Sequence, residues 1–195
     1  MIKIYGGIKM AGLVKCKSCG FVMEAGKLHD RCPACGVPAK MFEPFIDPVS
    51  EKRRMFLGFH IHPILVHFPQ AFAFLLFLLA CATFFLGGPL KDAFITTIRV
   101  VSGILPAVVL IALLSGLADG RVRFRRYNTP FLITKITAGS LFLVDSIIIC
   151  VLALNCPLET GHCMAIYTAL TVIAVCCSVP LGIIGTWLIE AKFPG

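Results

Sequence analysis

From residue 60 onward the chain is built of long apolar stretches, whereas earlier positions mix single apolar residues with cysteine, glycine and basic ones. The apolar stretches run roughly over 60–87, 93–118, 131–154 and 163–189. Each exceeds the ~20 residues a helix needs to cross a hydrocarbon core of about 30 Å. Gly87-Gly88-Pro89, Gly120 to Pro130 and Asn155 to His162 separate them. Connections this short place successive helices antiparallel, which predicts an all-α, up-down four-helix transmembrane bundle.

Residues 14–46 follow a different rule. Cys, Gly, Pro and Lys are frequent there, and the segment is too short to bury an adequate core without a staple. The expected organisation is an N-terminal extension at 1–13, a small metal-stapled β module at 14–46 and a basic linker at 47–58. A four-helix membrane domain at 59–190 and a tail at 191–195 complete it. Met1 to Lys9 carries neither the apolar run of a signal peptide nor the pattern of a folded element. Translation is expected to start at Met10, because codons for Gly6-Gly7 resemble a ribosome-binding sequence.

Composition narrows the class. The formal charge is +8, from 18 Lys+Arg against 10 Asp+Glu, with 58% hydrophobic and 14% charged residues. Soluble domains usually carry about 25% charged residues, so a disordered chain and an ordinary soluble enzyme are both excluded. The basic residues track the helix ends. Lys52, Arg53 and Arg54 precede the first stretch; Arg121, Arg123, Arg125 and Arg126 lie between the second and third; Lys192 follows the fourth. The opposite side has Lys91 in the first connection and no Lys or Arg between Asn155 and His162. The positive-inside rule then places both termini and the cysteine module in the cytoplasm, with the chain multi-pass in a prokaryotic inner membrane. Because these residues follow topology and do not alternate with stacking aromatics, nucleic acid is not an expected partner.

Cys16-Lys17-Ser18-Cys19-Gly20 and Cys32-Pro33-Ala34-Cys35-Gly36 are two CxxCG units. A CxxC loop points two thiolates at one ion, and the following glycine permits a tight turn. Two such loops complete a tetrahedral S₄ site, and in a reducing compartment metal binding prevails over disulfide formation. Tetrahedral S₄ suits zinc and iron alike. The run from Cys16 through Phe21, Cys32-Pro33, Cys35-Gly36-Val37-Pro38 and Phe42-Glu43 resembles a rubredoxin-like domain, with the short spacing of the form found in rubrerythrins. That resemblance implies one iron held by Cys16, Cys19, Cys32 and Cys35, with Phe21 and Phe42 packed around it. A structural zinc ribbon is the alternative.

His60-Ile61-His62-Pro63 and Val66-His67-Phe68-Pro69 open the first apolar stretch. Pro63 fits a first helical turn, whereas Pro69 removes an internal hydrogen bond and kinks the helix. This pattern, Ser115-Gly116-Leu117-Ala118-Asp119 and Lys135 resemble a four-helix membrane family, the domain of unknown function 2231, over about residues 58–190. The family supplies a fold and no catalytic assignment.

Charged residues in membrane helices cost about 2.5–3.5 kcal/mol each on insertion scales, so each asks for a reason. His62, His67, Asp119 and Lys135 all fall on the cytoplasmic side of the inferred topology, where a buried polar site is expected. It would hold a quinone head group, with His67 and Lys135 as donors, or a haem b through His62 or His67, since no CxxCH attachment motif is present. On an unbroken helix the two histidines differ by about 140°, so one haem between them needs a distortion near Pro69. Asp145, near the middle of the third stretch, faces the interior as a proton-relay or packing residue. Ser102, Thr137 and Ser146 are expected to hydrogen-bond between helices. Cys156 and Cys163 end the third and fourth helices on the outer side and are expected to form a disulfide.

These readings converge on a membrane-anchored electron-transfer protein. It would pass single electrons between a cytosolic redox protein, or a membrane oxidoreductase complex, and a site within the bilayer-embedded bundle. The chain reads as an electron carrier, or a component of a quinone-linked oxidoreductase, rather than a stand-alone enzyme. The alternative is a zinc-ribbon membrane adaptor that recruits a cytosolic partner without redox chemistry.

Overall fold

The computed structural model describes residues 4–5, 8–9, 12–46, 50–125 and 127–190. The chain divides into two compact units, one ending at Ser50 and the other beginning at Glu51.

In the first unit, β1 (Ile4–Tyr5) pairs antiparallel with β2 (Ile8–Lys9). This corrects the expectation that Met1 to Lys9 holds no folded element: β-branched and aromatic residues on either side of a Gly-Gly pair have the composition of a hairpin. Met10, the expected translational start, lies outside the described residues. Three further strands, β3 (Leu13–Cys16), β4 (Val22–Glu24) and β5 (Phe42–Phe45), form an antiparallel sheet in the order β4-β3-β5. The twofold alternation of β3 turns Val14 and Cys16 inward. They join Leu28, Cys32, Ala39 and Phe42 in a small core. Pro44 sits on an edge strand, where its missing N–H costs no ladder bond.

The second unit contains α1 (Glu51–Gly58), α2 (Ile61–Leu65), α3 (His67–Thr83), α4 (Gly88–Phe124), α5 (Pro130–Asn155) and α6 (Gly161–Glu190). Four helical spans are long and apolar enough to cross a membrane: Met55–Thr83, Gly88–Phe124, Pro130–Asn155 and Gly161–Leu188. α3 packs on α4 and α6, and α5 on the same two, closing a ring of four. Ala73, Leu76, Ile98, Leu105, Ile149 and Tyr167 fill its centre. Large apolar side chains also face outward, Leu78, Leu141 and Leu154 each being about 60% exposed. Helices apolar all round fit a lipid surround. The chain is thus a small cysteine-bearing β module followed by a helical bundle suited to a bilayer.

Two features depart from the sequence reading. Residues 51–58, expected as linker, are helical, and Arg53 is buried against the end of α4. Its Nε donates to the Val122 carbonyl at 2.7 Å and its Nη2 to the Arg123 carbonyl at 2.5 Å. These are among the last carbonyls of a helix, which have no intrahelical partner and carry the negative end of its dipole. The first long helix is also interrupted, at His60 (φ 50°) and at Val66. Pro63 and Pro69 lack the N–H groups that would bind the carbonyls of Phe59 and Leu65, and both breaks fall beside those unpaired positions.

Candidate metal centre and membrane cavity

The two CxxCG loops fold alike. Cys16 N donates to Phe21 O at 2.8 Å and Gly20 N to Cys16 O at 2.9 Å; Cys32 N donates to Val37 O and Gly36 N to Cys32 O at the same distances. Gly20 (φ 77°) and Gly36 (φ 76°) close the loops in a conformation that side chains with a Cβ adopt at a cost. Together the loops bring four Sγ atoms within 4.8 Å of one another. Cys16 Sγ lies 3.8 Å from Cys35 Sγ, and Cys19 Sγ 3.8 Å from Cys32 Sγ. A tetrahedron with metal–sulfur bonds of about 2.3 Å has edges of about 3.8 Å, so the donor set fits one zinc or iron ion.

The set is asymmetric. Cys16 and Cys32, the first of each pair, are buried, and Cys19 and Cys35 are exposed. The Phe21 amide lowers the Cys19 thiol, but burial and the neighbouring thiols raise it, to about 12 overall. Burial raises Cys32, yet hydrogen bonds from the Cys35 and Ala34 amides, together with those of the Cys35 and Cys19 thiols, outweigh it and bring the thiol down to about 7. Amides aimed at sulfur favour the thiolate that a metal needs. Phe42 is buried beside the ligands as expected, whereas Phe21 is 40% exposed. The backbone of Phe21 closes the first loop, and that fixes its position without its ring.

In the bundle, His62, His67, Asp119 and Lys135 line a single cavity of about 340 Å³. The break at Val66 separates the two histidines, so the 140° offset of an unbroken helix does not apply and both reach it. His67 Nδ1 donates to the Pro63 carbonyl at 2.6 Å. His62 Nδ1 lies 3.1 Å from Ser115 Oγ, which itself donates to the Ala112 carbonyl at 2.8 Å. Ser115 thus links the imidazole to the Ala112 carbonyl, and in the tautomer with its proton on Nδ1 the Nε2 atom of His62 carries the lone pair. Asp119 is held by Arg123, whose Nε donates to Oδ2 at 3.1 Å in a largely buried pair.

Glycines make room for this arrangement. A Cβ on Gly116 would come within 2.8 Å of His62 Cε1, and one on Gly182 within 3.0 Å of Gln70 Nε2. Gln70 donates to the Ser178 carbonyl at 3.2 Å and lines the same cavity. The sequence reading missed Gln70, although an amide in an apolar helix, one turn beyond His67, is itself a signal. A Cβ on Gly185 would sit 3.6 Å from Lys135 Nζ, an ordinary contact.

Asp145 is buried, and its Oδ2 has no hydrogen-bond partner among the described residues. It does not line the cavity. Of the three hydroxyls expected between helices, Ser102 bonds Tyr167 Oη at 2.7 Å. Ser146 instead bonds the Leu143 carbonyl of its own helix, and Thr137 is exposed. Cys156 and Cys163 are free thiols close enough to interact: burial first, then Cys163, raises the Cys156 thiol. Glu159, between them, pairs with Arg99 at 3.1 Å.

No curated protein and no solved structure matches the chain. Residues 15–43, the two loops and the strands that present them, match the family model of the rubrerythrin rubredoxin-like domain.

Proposed function

We propose that this chain is a membrane-anchored rubredoxin-like protein that passes single electrons between a cytosolic redox partner and a quinone or haem b site in the bundle. The observation that carries this reading is the four-sulfur set with two exposed ligands, on a chain with four helices able to cross a membrane. Cys16, Cys19, Cys32 and Cys35 would hold the ion; bound iron supplies one-electron exchange there, and zinc supplies none. Cys19 and Cys35 provide the edge at which a soluble partner approaches, while the buried pair anchors the site in the β core. Residues 58–190 are read as the domain of unknown function 2231 on the pattern of His62-Pro63, Val66-His67-Phe68-Pro69 and Lys135.

Anaerobic purification with metal analysis and an oxidised-minus-reduced spectrum tests this. About one iron per chain, red when oxidised and bleached on reduction, is the expected result. Colourless protein with stoichiometric zinc would make the chain a zinc-ribbon adaptor.

The proposed orientation in a prokaryotic inner membrane puts the metal module and both termini in the cytoplasm and the 156–163 connection outside. There Cys156 and Cys163 form a disulfide, closing a loop of about eight residues and contributing roughly 2–3 kcal/mol. Mass spectrometry of non-reduced protein is expected to find the bridge. Alkylation of both thiols would refute it and count against the orientation.

A further inference from the structure

We propose that the cavity between His62 and Lys135 binds the ring of a lipid-soluble quinone. This deepens the electron-transfer reading and rests on it for its purpose, while the binding chemistry follows from the cavity itself. At about 340 Å³, it lies within the roughly 300–1,000 Å³ range of small-molecule sites. Its walls are chiefly apolar, including Val109, Leu113 and Phe142, with polar side chains converging from α2, α3, α4, α5 and α6.

Two of those polar groups, Lys135 and His62, are of opposite kinds. Lys135 Nζ offers three donors and no acceptor. It has no hydrogen bond or ion pair among the described residues, and it lies beside Gly185 in the cavity wall. His62 Nε2 offers an acceptor in the tautomer whose Nδ1 proton is shared with Ser115 Oγ, 3.1 Å away. The Gly116 backbone, packed against the imidazole, holds that orientation. The charge of Arg123 is balanced by Asp119.

A quinone presents two carbonyl acceptors. Gain of two electrons and two protons, one proton on each oxygen, turns both into hydroxyl donors. Lys135 would hold a carbonyl of the oxidised ring, and His62 would receive a hydroxyl of the reduced one.

The test is equilibrium binding of two probes, a benzoquinone with a ten-carbon tail and menadione, to full-length detergent-purified protein. Saturable binding at one site per chain is expected. Lys135→Met should weaken it about tenfold, the value of one charge-assisted hydrogen bond. Gly185→Leu, which fills the cavity without removing a polar group, should abolish it. Metal content and circular dichroism of each variant report folding. Cys16→Ser with Cys32→Ser should bind both probes as the native chain does while losing electron transfer, so electron transfer that persists in this metal-free variant rejects the electron-transfer reading alone. Absence of saturable binding, native affinity in both cavity variants, or a Soret band from haem in the cavity would overturn the proposal.

Discussion

Replacing Cys32 by serine is expected to empty the metal centre and unfold residues 12–46, while the helical unit keeps its structure. The module's buried core consists of Val14, Cys16, Leu28, Cys32, Ala39 and Phe42, so two of its members are also ligands. A segment of this size lies below the ~40 residues at which domains usually fold without a staple. Metal binding by comparable structural sites supplies about 10–16 kcal/mol, far more than such a core contributes. Metal analysis should find near-zero occupancy, and limited proteolysis should cut within the module first. Serine at the exposed Cys35 should lose metal as well but leave the buried core packed, so its cleavage should be slower. A Cys32→Ser chain with native metal content and native protease resistance would contradict this account.

Arg53→Ala should destabilise the bundle by about 2–3 kcal/mol, since a buried guanidinium satisfying two helix-terminal carbonyls is lost. For a chain of this size that corresponds to a fall in Tm of roughly 4–12 °C. Arg53→Lys should recover part of the loss, because one ammonium cannot reproduce the two-pronged contact. Thermal unfolding in detergent followed by circular dichroism decides it. A melt within 1 °C of the native chain, about the error of such a scan, would mean that α1 is merely appended to α4.

Arg53 also illustrates how far a sequence can be read. Its position in a Lys-Arg-Arg run marked it as a topology signal, and nothing local distinguishes it from Lys52. Which residue of that run meets the carbonyls of Val122 and Arg123, some seventy positions away, is decided by the packing of α1 on α4. The first membrane helix carries a similar lesson. Pro69 announced a kink, but the turn at Val66, and with it the access of both His62 and His67 to one cavity, depends on how α2 and α3 seat against α4.

The metal centre stands at the other extreme. Its four ligands, its two tight turns and its glycines all lie within two five-residue motifs, so chain geometry nearly dictates the S₄ set. The sequence by itself determined that set, the four membrane-length helices and their antiparallel order, because each follows from local spacing or from the length of an apolar run. Only the tertiary structure decided that Phe21 lies exposed while Phe42 is buried, that Asp119 is held by Arg123, and that Ser115 is the hydrogen-bond partner of His62. It also decided that Gly116 and Gly182 are the spaces into which His62 and Gln70 fit. The physical reason is that hydrogen-bond partnership and steric room are properties of pairs distant in the chain, and no local pattern encodes which pairs will meet.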